Sequence, residues 1–315
     1  MNRLVSVIIP CYNAVRWVSE AIQSCLNQTY QPLEVIVIDD GSTDQSLEVI
    51  KSFDDKIRWE SGSNRGGNHA RNRGFALSRG DYIQFLDADD YLMPEKIARQ
   101  VAFLESTGAD VVYGDWRHQY DAPDGTIEFG DIVISGNHDD VLGALVGDWW
   151  VAPAAVLARR EAVLRTGGWD ESLEAAQDRD YMISLAITGA RILYQPGCYS
   201  VYRRHGATSV TGSNRERWLD NQSAVLRKTW RTLENGGLLT KRNRSAMAHS
   251  YFVLARNYFS IDRAKYSACM KNVFLLDSKF RPNAPLFYKL VQRFFGFLPA
   301  EKLAQWKRSW QRSQH

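Results

Sequence analysis

Val5-Ser6-Val7-Ile8-Ile9-Pro10-Cys11-Tyr12-Asn13 decides the fold of this chain. A near-continuous Val/Ile run that ends on a proline and polar residues reads as a strand buried on both faces. A helical pattern over about Val15 to Asn27, a second apolar run at Leu33-Glu34-Val35-Ile36-Val37-Ile38 and a short helix near Ser46 to Phe53 follow it. This is the βαβ rhythm of a parallel sheet. The expected class is α/β, a Rossmann-like, doubly wound mixed sheet covered by helices on both sides.

In such sheets ligands bind beyond the carboxyl ends of the strands. Each strand here runs into chemically suggestive residues. Ile9 leads to Pro10-Cys11-Tyr12-Asn13, Ile38 to Asp39-Asp40-Gly41-Ser42-Thr43-Asp44, and Tyr82-Ile83-Gln84-Phe85-Leu86 to Asp87-Ala88-Asp89 with Asp90 behind. Aspartates crowded at a strand end repel one another unless a divalent ion or cationic partner offsets the charge. Between the second and third clusters lies Asn64-Arg65-Gly66-Gly67-Asn68-His69-Ala70-Arg71-Asn72. Its paired glycines permit close backbone approach, and the helix after them offers free N–H groups to an anion. No P-loop ending and no G-x-G-x-x-G after the first strand is present, which counts against ATP hydrolysis and dinucleotide redox chemistry.

Further on, a helix to about Ser106 and a strand at Asp110 to Gly114 continue the sheet, and Trp116 to Ile134 reads as a polar hairpin. A strand is expected at Pro153 to Ala158, a short helix at Arg160 to Thr166, a helix from about Asp178 to Thr188, and a strand pair at Ile192-Leu193-Tyr194 and Ser200-Val201-Tyr202. Past about Asn214 the pattern is helical and aromatic, with Gly236-Gly237 as an interhelical break. Two domains are expected, residues 1–213 and a basic, aromatic-rich helical extension over 214–315.

The 315 residues carry a net charge of only +3, yet from Arg203 onward 22 Lys and Arg stand against 6 Asp and Glu. That asymmetry suits an anionic partner of the C-terminal third, whether membrane, lipid diphosphate or nucleic acid, or else a solvated basic face. No stretch reaches the roughly 18–20 apolar residues of a membrane span, and the start lacks signal-peptide features. A cytoplasmic protein is expected. Cys11, Cys25, Cys198 and Cys269 show no metal or disulfide spacing and read as reduced thiols.

Taken together, Val5 to Asn13, Asp39 to Asp44, Asn64 to Asn72, Asp87 to Asp89, Gly167 to Asp180 and Tyr202 to His205 resemble, in order, the inverting glycosyltransferases of family 2 with the GT-A fold, of the bacterial surface polysaccharide or glycolipid type. The resemblance covers about residues 1–210. It implies transfer of a sugar from a nucleoside-diphosphate donor to a glycan or polyprenyl-diphosphate-linked acceptor, with Mn²⁺ or Mg²⁺ as cofactor. The Asp40 carboxylate favours a UDP-linked donor, with GDP and dTDP open, and the lack of a Gln-x-x-Arg-Trp string and of membrane spans, features of processive synthases, favours a single addition. The donor would be held by Pro10, Tyr12, Asn13, Asp39, Asp40, Asn68, Arg71, Asp87 and Ala88. Tyr12 offers a ring to stack on a base, and Asp40 or Asp39 a carboxylate for an imide N–H. Asp89 and Asp87 would hold the metal, with His205 approaching it or the diphosphate, and an arginine of Tyr202-Arg203-Arg204-His205 would neutralise phosphate.

Asp178 matches the family's base, and Gln177 stands where the family usually has an acid. Asp180 is the alternative base, or a first-turn carboxylate favoured by the helix dipole. Asp44 is expected to cap the next helix rather than contact a ligand, and Asp90 either to cap the helix beginning near Pro94 or to be a third metal ligand, the cap being preferred. Trp116, Trp149 and Trp150 either contact an acceptor or pack in the core. The segment Leu286 to Leu298 and the run Trp306 to Trp310 mix aromatics with cations as an interfacial helix does, so peripheral contact with an anionic membrane is expected. A catalytically inactive nucleotide-sugar binder is the first alternative. A nucleic-acid binder using the basic tail is the second, though no nucleic-acid motif accompanies the charge and none is expected to bind.

Overall fold

The computed structural model describes residues 3–122, 125–204 and 215–312. They form two compact units, one of residues 1–145 and 149–215 and one of residues 146–148 and 216–315.

The first unit is built on one nine-stranded sheet. The strands β1 (Val5–Cys11), β2 (Leu33–Asp39), β3 (Arg58–Ser61) and β4 (Tyr82–Phe85) run parallel in the order β3-β2-β1-β4. Helices α1 (Val18–Leu26), α2 (Ser46–Lys51) and α3 (Gly67–Leu77) supply the connections. Every residue of β1 except Pro10 is buried, as a strand covered on both faces requires. The same sheet then continues through β8 (Val156–Arg159), β6 (Val111–Asp121), β9 (Ile192–Arg204) and the two-residue β5 (Tyr91–Leu92). β8 lies antiparallel to β4 and to β6, while β9 runs parallel to β6. The strand β7 (Ile127–Val133) hangs on β6 as a hairpin partner. Helices α4 (Lys96–Thr107), α5 (Val141–Val146), α6 (Arg160–Arg165) and α7 (Gln177–Ile187) complete the chain order up to β9.

The parallel run β3-β2-β1-β4 presents all its carboxyl ends on one edge, and the expected βαβ start is therefore present with helix ends shifted by a few residues. One expectation is corrected. Ile192 to Arg204 is a single strand and not a pair, because Gly197, at φ 123°, absorbs the irregularity between Tyr194 and Cys198 while pairing with β6 continues on both sides. The hairpin expected over Trp116 to Ile134 is β6 and β7.

The core is apolar, yet Lys96 is wholly buried within it. Its ammonium donates to the Gln84 side chain and to the Val156 carbonyl, and burial pushes its pKa well down. The four cysteines are free, three of them buried.

The second unit contains α8 (Arg215–Asn235), α9 (Lys241–Tyr258), α10 (Arg263–Leu276), α11 (Leu286–Phe295) and α12 (Phe297–Arg312). The break expected at Gly236-Gly237 separates α8 from α9, with Gly237 at φ 67°. Thr240 caps α9 and Asp262 caps α10 through side-chain acceptance of main-chain N–H groups. Tyr258 donates to Asp220 at 2.6 Å, Lys265 pairs with Glu216 and Asp220 at 2.8 Å each, and Arg256 pairs with the buried Glu301 at 2.9 Å. No helix among the described residues is long and apolar enough to cross a membrane.

Candidate active site

β1 and β2 end side by side, with Cys11 opposite Asp39, so the residues after each strand share one edge. Tyr12 projects there with half its surface open. Pro10 sits two residues before Tyr12, opposite Ile38. Asn13 adopts φ 50° and works as a splint: its side-chain oxygen accepts from the Thr43 amide at 2.8 Å, and its own amide donates to Ser42 Oγ at 3.0 Å. Asp39 and Asp40 are both buried. Asp39 accepts from the Ser42 amide at 3.2 Å and from Ser61 Oγ at 2.6 Å. Asp40 takes the amides of Arg65 and Gly66, each at 2.8 Å. These carboxylates thus shape the pocket wall, and each oxygen keeps a further lone pair for a ligand N–H. Gly41, at φ 75°, lets the loops meet, since a Cβ there would lie 2.7 Å from the Asn64 amide nitrogen. Asp44 accepts from the amide and hydroxyl of Ser46, the first residue of α2, and from the Val15 amide.

Beyond β4 the chain turns tightly, the Asp90 amide donating to the Asp87 carbonyl at 3.1 Å. The turn brings one carboxylate oxygen each from Asp87, Asp89 and Asp90 within 4.8 Å of one another. Ala88 points its methyl into the core, so only its main chain faces the site. Asp90 is buried; desolvation, followed by the charges of Asp89 and Asp87, raises its pKa well above the ordinary carboxylate value. One of its oxygens, Oδ2, is buried with no hydrogen-bond partner. A crowded, oxygen-only donor set with an unsatisfied buried oxygen fits a hard divalent cation such as Mg²⁺ or Mn²⁺.

Arg71 on α3 provides the opposing charge. Its guanidinium meets Asp87 at 2.6 Å, Asn68 Oδ1 at 3.2 Å and Gln177 Oε1 at 3.0 Å, and lies over the Trp169 ring at 4.5 Å. Trp169 in turn stacks on Tyr181 with centroids 4.1 Å apart and planes within 3°. Asn68 donates to the Asp170 carbonyl at 2.6 Å and Asn72 to the Trp169 carbonyl at 2.9 Å, which ties α3 to the turn before α7. Arg71 therefore orients Asp87, and Asn68 orients Arg71. Asp178, in the first turn of α7, feels the same charges: burial and Asp87 raise its pKa, Arg71 lowers it and Asp89 raises it, leaving it at about 6. Gln177 bridges Arg71 and the Leu173 carbonyl, the latter at 2.9 Å, holding α7 against α3 without adding a negative charge. Asp180, the alternative base, is buried in the same turn.

Two expectations change. Asp90 does not cap the following helix; it accepts from the Arg203 amide at 2.9 Å, because β9 passes beside the acidic turn. Arg203 is buried and internally engaged, donating to the Asp89 carbonyl at 2.8 Å and pairing with Glu20 and with Asp121 at 3.0 Å, which leaves exposed Arg204 as the arginine of that motif open to a ligand. His205 lies outside the described residues. Sequence reasoning missed Glu20 and Asp121, whose only signal was an acidic residue on each of two distant elements, and Asn72, which was visible at the end of the Asn64 to Asn72 segment.

With this geometry established, comparison with known proteins is informative. The Glycosyl transferase family 2 profile matches residues 6–130. A UDP-Glc:α-D-GlcNAc-diphosphoundecaprenol β-1,3-glucosyltransferase of Escherichia coli is 31% identical over 227 residues, 71% of this chain and 86% of that protein. The chain belongs to glycosyltransferase family 2. Its sheet superposes on the GT-A fold of S. aureus TarS, solved with UDP-GlcNAc, at a TM-score of 0.71 and 18% identity, covering 96% of this chain and 92% of that one. A mannosyltransferase from Pyrobaculum calidifontis, solved with GDP-Man and Mn²⁺, matches at a TM-score of 0.52 and 18% identity, over 96% and 87% of the two chains. The chain spans about half the length of some other curated relatives that it matches, 47% and 52% in two cases.

For this family 2 glycosyltransferase domain the electrostatics predict a pH profile. With Asp178 as the base, as the resemblance implies, its protonation below about 6 silences it, so kcat/KM should fall about tenfold per pH unit below that midpoint and level off above it. Gln177→Glu places another negative charge on Arg71, raises the Asp178 pKa and should move the acid limb to higher pH. An acid limb that stays in place in this variant would show that Asp178 is not the titrating base.

Proposed function

We propose that this glycosyltransferase moves a sugar from a UDP-linked donor to a hydroxyl of a lipid-diphosphate-linked glycan, with inversion, in a single addition. The observation that carries the reading is the set of three converging carboxylates, balanced by Arg71, with one raised-pKa acid, Asp178, within their electrostatic reach. Asp89 and Asp87 are the ligands proposed for the cation, with Asp90 behind them. A bound Mg²⁺ or Mn²⁺ would neutralise charge on the departing diphosphate. The chain itself does the rest. Tyr12 stacks on the base, Asp39 and Asp40 fix the loop that surrounds the nucleoside, and Pro10 and Asn13 shape its floor. Asn68 and Arg71 hold the phosphate side, where Arg71 also pairs with Asp87 and orients it. Asp178 removes the acceptor proton as the hydroxyl attacks the anomeric carbon and the bond to the diphosphate oxygen breaks.

Inversion of an α-linked nucleotide sugar yields a β-glycoside, the linkage named for the E. coli relative, and its acceptor class motivates the one proposed here. The Pyrobaculum calidifontis mannosyltransferase, solved in complex with GDP-Man and Mn²⁺, motivates the choice of cation. An inactive nucleotide-sugar binder is the weaker reading, because a carboxylate stands at the base position and Gln177 has a defined structural role.

The second unit supports a membrane-proximal setting. On α11, Leu286, Leu290 and Phe294 recur at four-residue spacing beside Phe287 and Phe295, and the three phenylalanines are 66–73% exposed. Tyr288 alone turns inward, donating to Glu301 at 2.5 Å. Exposed Lys289 and Arg293 border this apolar arc. Such a helix lies in the headgroup boundary of an anionic leaflet. Work at the cytoplasmic face of the membrane, in building a cell-envelope polysaccharide or glycolipid, follows from that placement.

Two measurements test these readings. Incubation with UDP-glucose, Mn²⁺ and a short-chain GlcNAc-diphosphate lipid should give a product whose new anomeric proton has the large coupling of a β-glucoside; an α-linked product would refute inversion. In flotation with vesicles containing phosphatidylglycerol the protein should rise with the lipid, and Phe287→Glu with Phe294→Glu should leave it in the soluble fraction. Equal flotation of the double variant would remove the proposed membrane face.

A further inference from the structure

The sheet order divides the surroundings of the acidic turn into two sides. The strands whose ends carry Tyr12, Asp39 and Asp40 lie on one side of β4, and β8, β6 and β9 lie on the other. On that second side an aromatic group gathers. Trp116 on β6 is buried and carries Trp150 against it at 4.8 Å and His118 at 4.7 Å. Tyr202 on β9 closes the group, 5.7 Å from Trp116 and 5.9 Å from Trp150. Trp150 is 38% exposed, so its indole is backed by rings on one side and open on the other.

The group adjoins the reactive acids. The Arg203 amide, next to Tyr202 along β9, donates to Asp90 at 2.9 Å, which brings this part of the strand against the acidic turn. Val151 and Pro153, immediately after Trp150, line a small apolar cavity together with Phe85, Trp169 and Asp178. The chain that leaves Trp150 thus enters the lining of the cavity that Asp178 also lines. Polar groups stand at the rim, where exposed Arg204 reaches His118 at 3.5 Å.

A tryptophan serving only the core would be covered, as Trp116 is. A nucleobase has its own exposed ring at Tyr12, on the opposite side of the acids. An apolar, flat face with polar groups at its edge matches the C–H face of a pyranose, whose hydroxyls then point outward. We propose that Trp150, supported by Trp116 and Tyr202, is the acceptor subsite, stacking the terminal pyranose of the acceptor so that one of its hydroxyls reaches Asp178. This rests on the transferase reading above and adds the chemistry of its second substrate.

The test uses the full chain, a panel of short-chain lipid diphosphates bearing GlcNAc, GalNAc, glucose or galactose, and the variants Trp150→Ala and Trp150→Phe. With a sugar that the wild type accepts, Trp150→Ala should raise the acceptor KM at least tenfold with the donor KM and the UDP-dependent thermal shift unchanged, and Trp150→Phe should recover most of the loss. An unchanged acceptor KM, or a loss of the UDP shift instead, overturns the proposal. Saturation-transfer NMR reads the same contact without turnover. If no sugar is transferred but ring protons of one probe are saturated by the wild type and not by Trp150→Ala, the subsite stands and the transferase reading fails. If the wild type saturates no probe, the subsite is refuted.

Discussion

Three carboxylates held within 4.8 Å repel one another, and much of the first unit can be understood as the means of holding them there. Like charges at that separation cost free energy in a partly desolvated site, and the fold answers in two ways. Arg71 is drawn in from α3 to pair with Asp87, and Asp90 responds by a raised pKa, its charge disfavoured by burial beside its neighbours. What remains is a residual negative charge at the edge of the sheet. A cation is complementary to it, and only through such a cation would a diphosphate be attracted there. The Asp178 carboxylate is tuned by the same field, since it lies under the opposed influence of Asp87, Arg71 and Asp89.

The position of Arg71 explains several features that otherwise look unrelated. Its guanidinium is sandwiched between Asp87, Gln177 and the face of Trp169, so α3, the acidic turn and the first turn of α7 meet on one side chain. Gln177 accepts from Arg71 where an acid would compete with Asp87 for it. On the other flank Arg203 plays a comparable part, its amide on Asp90 and its side chain on the Asp89 carbonyl, with Glu20 and Asp121 neutralising it. The acidic turn is thus clasped from α3 and from β9. The residues proposed to face the donor lie on the β1 and β2 side, and the aromatic group around Trp150 lies on the β6 and β9 side.

The parallel half of the sheet was legible because its signals are local. Continuous Val and Ile runs, each ending in polar residues, specify buried strands whose ends share an edge, and the clusters after β1, β2 and β4 do converge. The rest depended on contacts distant in sequence. Asp90 reads as a helix cap until β9 brings an amide from 113 positions away. Which of Arg203 and Arg204 is free for a ligand is not legible until Glu20 and Asp121 are seen beside Arg203. Lys96 carries a charge that sequence patterning assigns to the surface, yet Gln84 and the Val156 carbonyl receive it inside the core. A strand interrupted by Pro196-Gly197 reads as two, since pairing through a bulge leaves no local signature.

The most direct test of the central claim is an electron paramagnetic resonance titration of free Mn²⁺ against the protein, with UDP, GDP, dTDP or CDP present in turn. The account predicts that one nucleoside diphosphate, UDP, sharply increases Mn²⁺ uptake to about one ion per chain, and that Asp89→Ala abolishes the increase without unfolding the protein. Uptake unaffected by every nucleotide, or equal in wild type and variant, would contradict the assignment of the acidic turn as the seat of a metal–diphosphate complex.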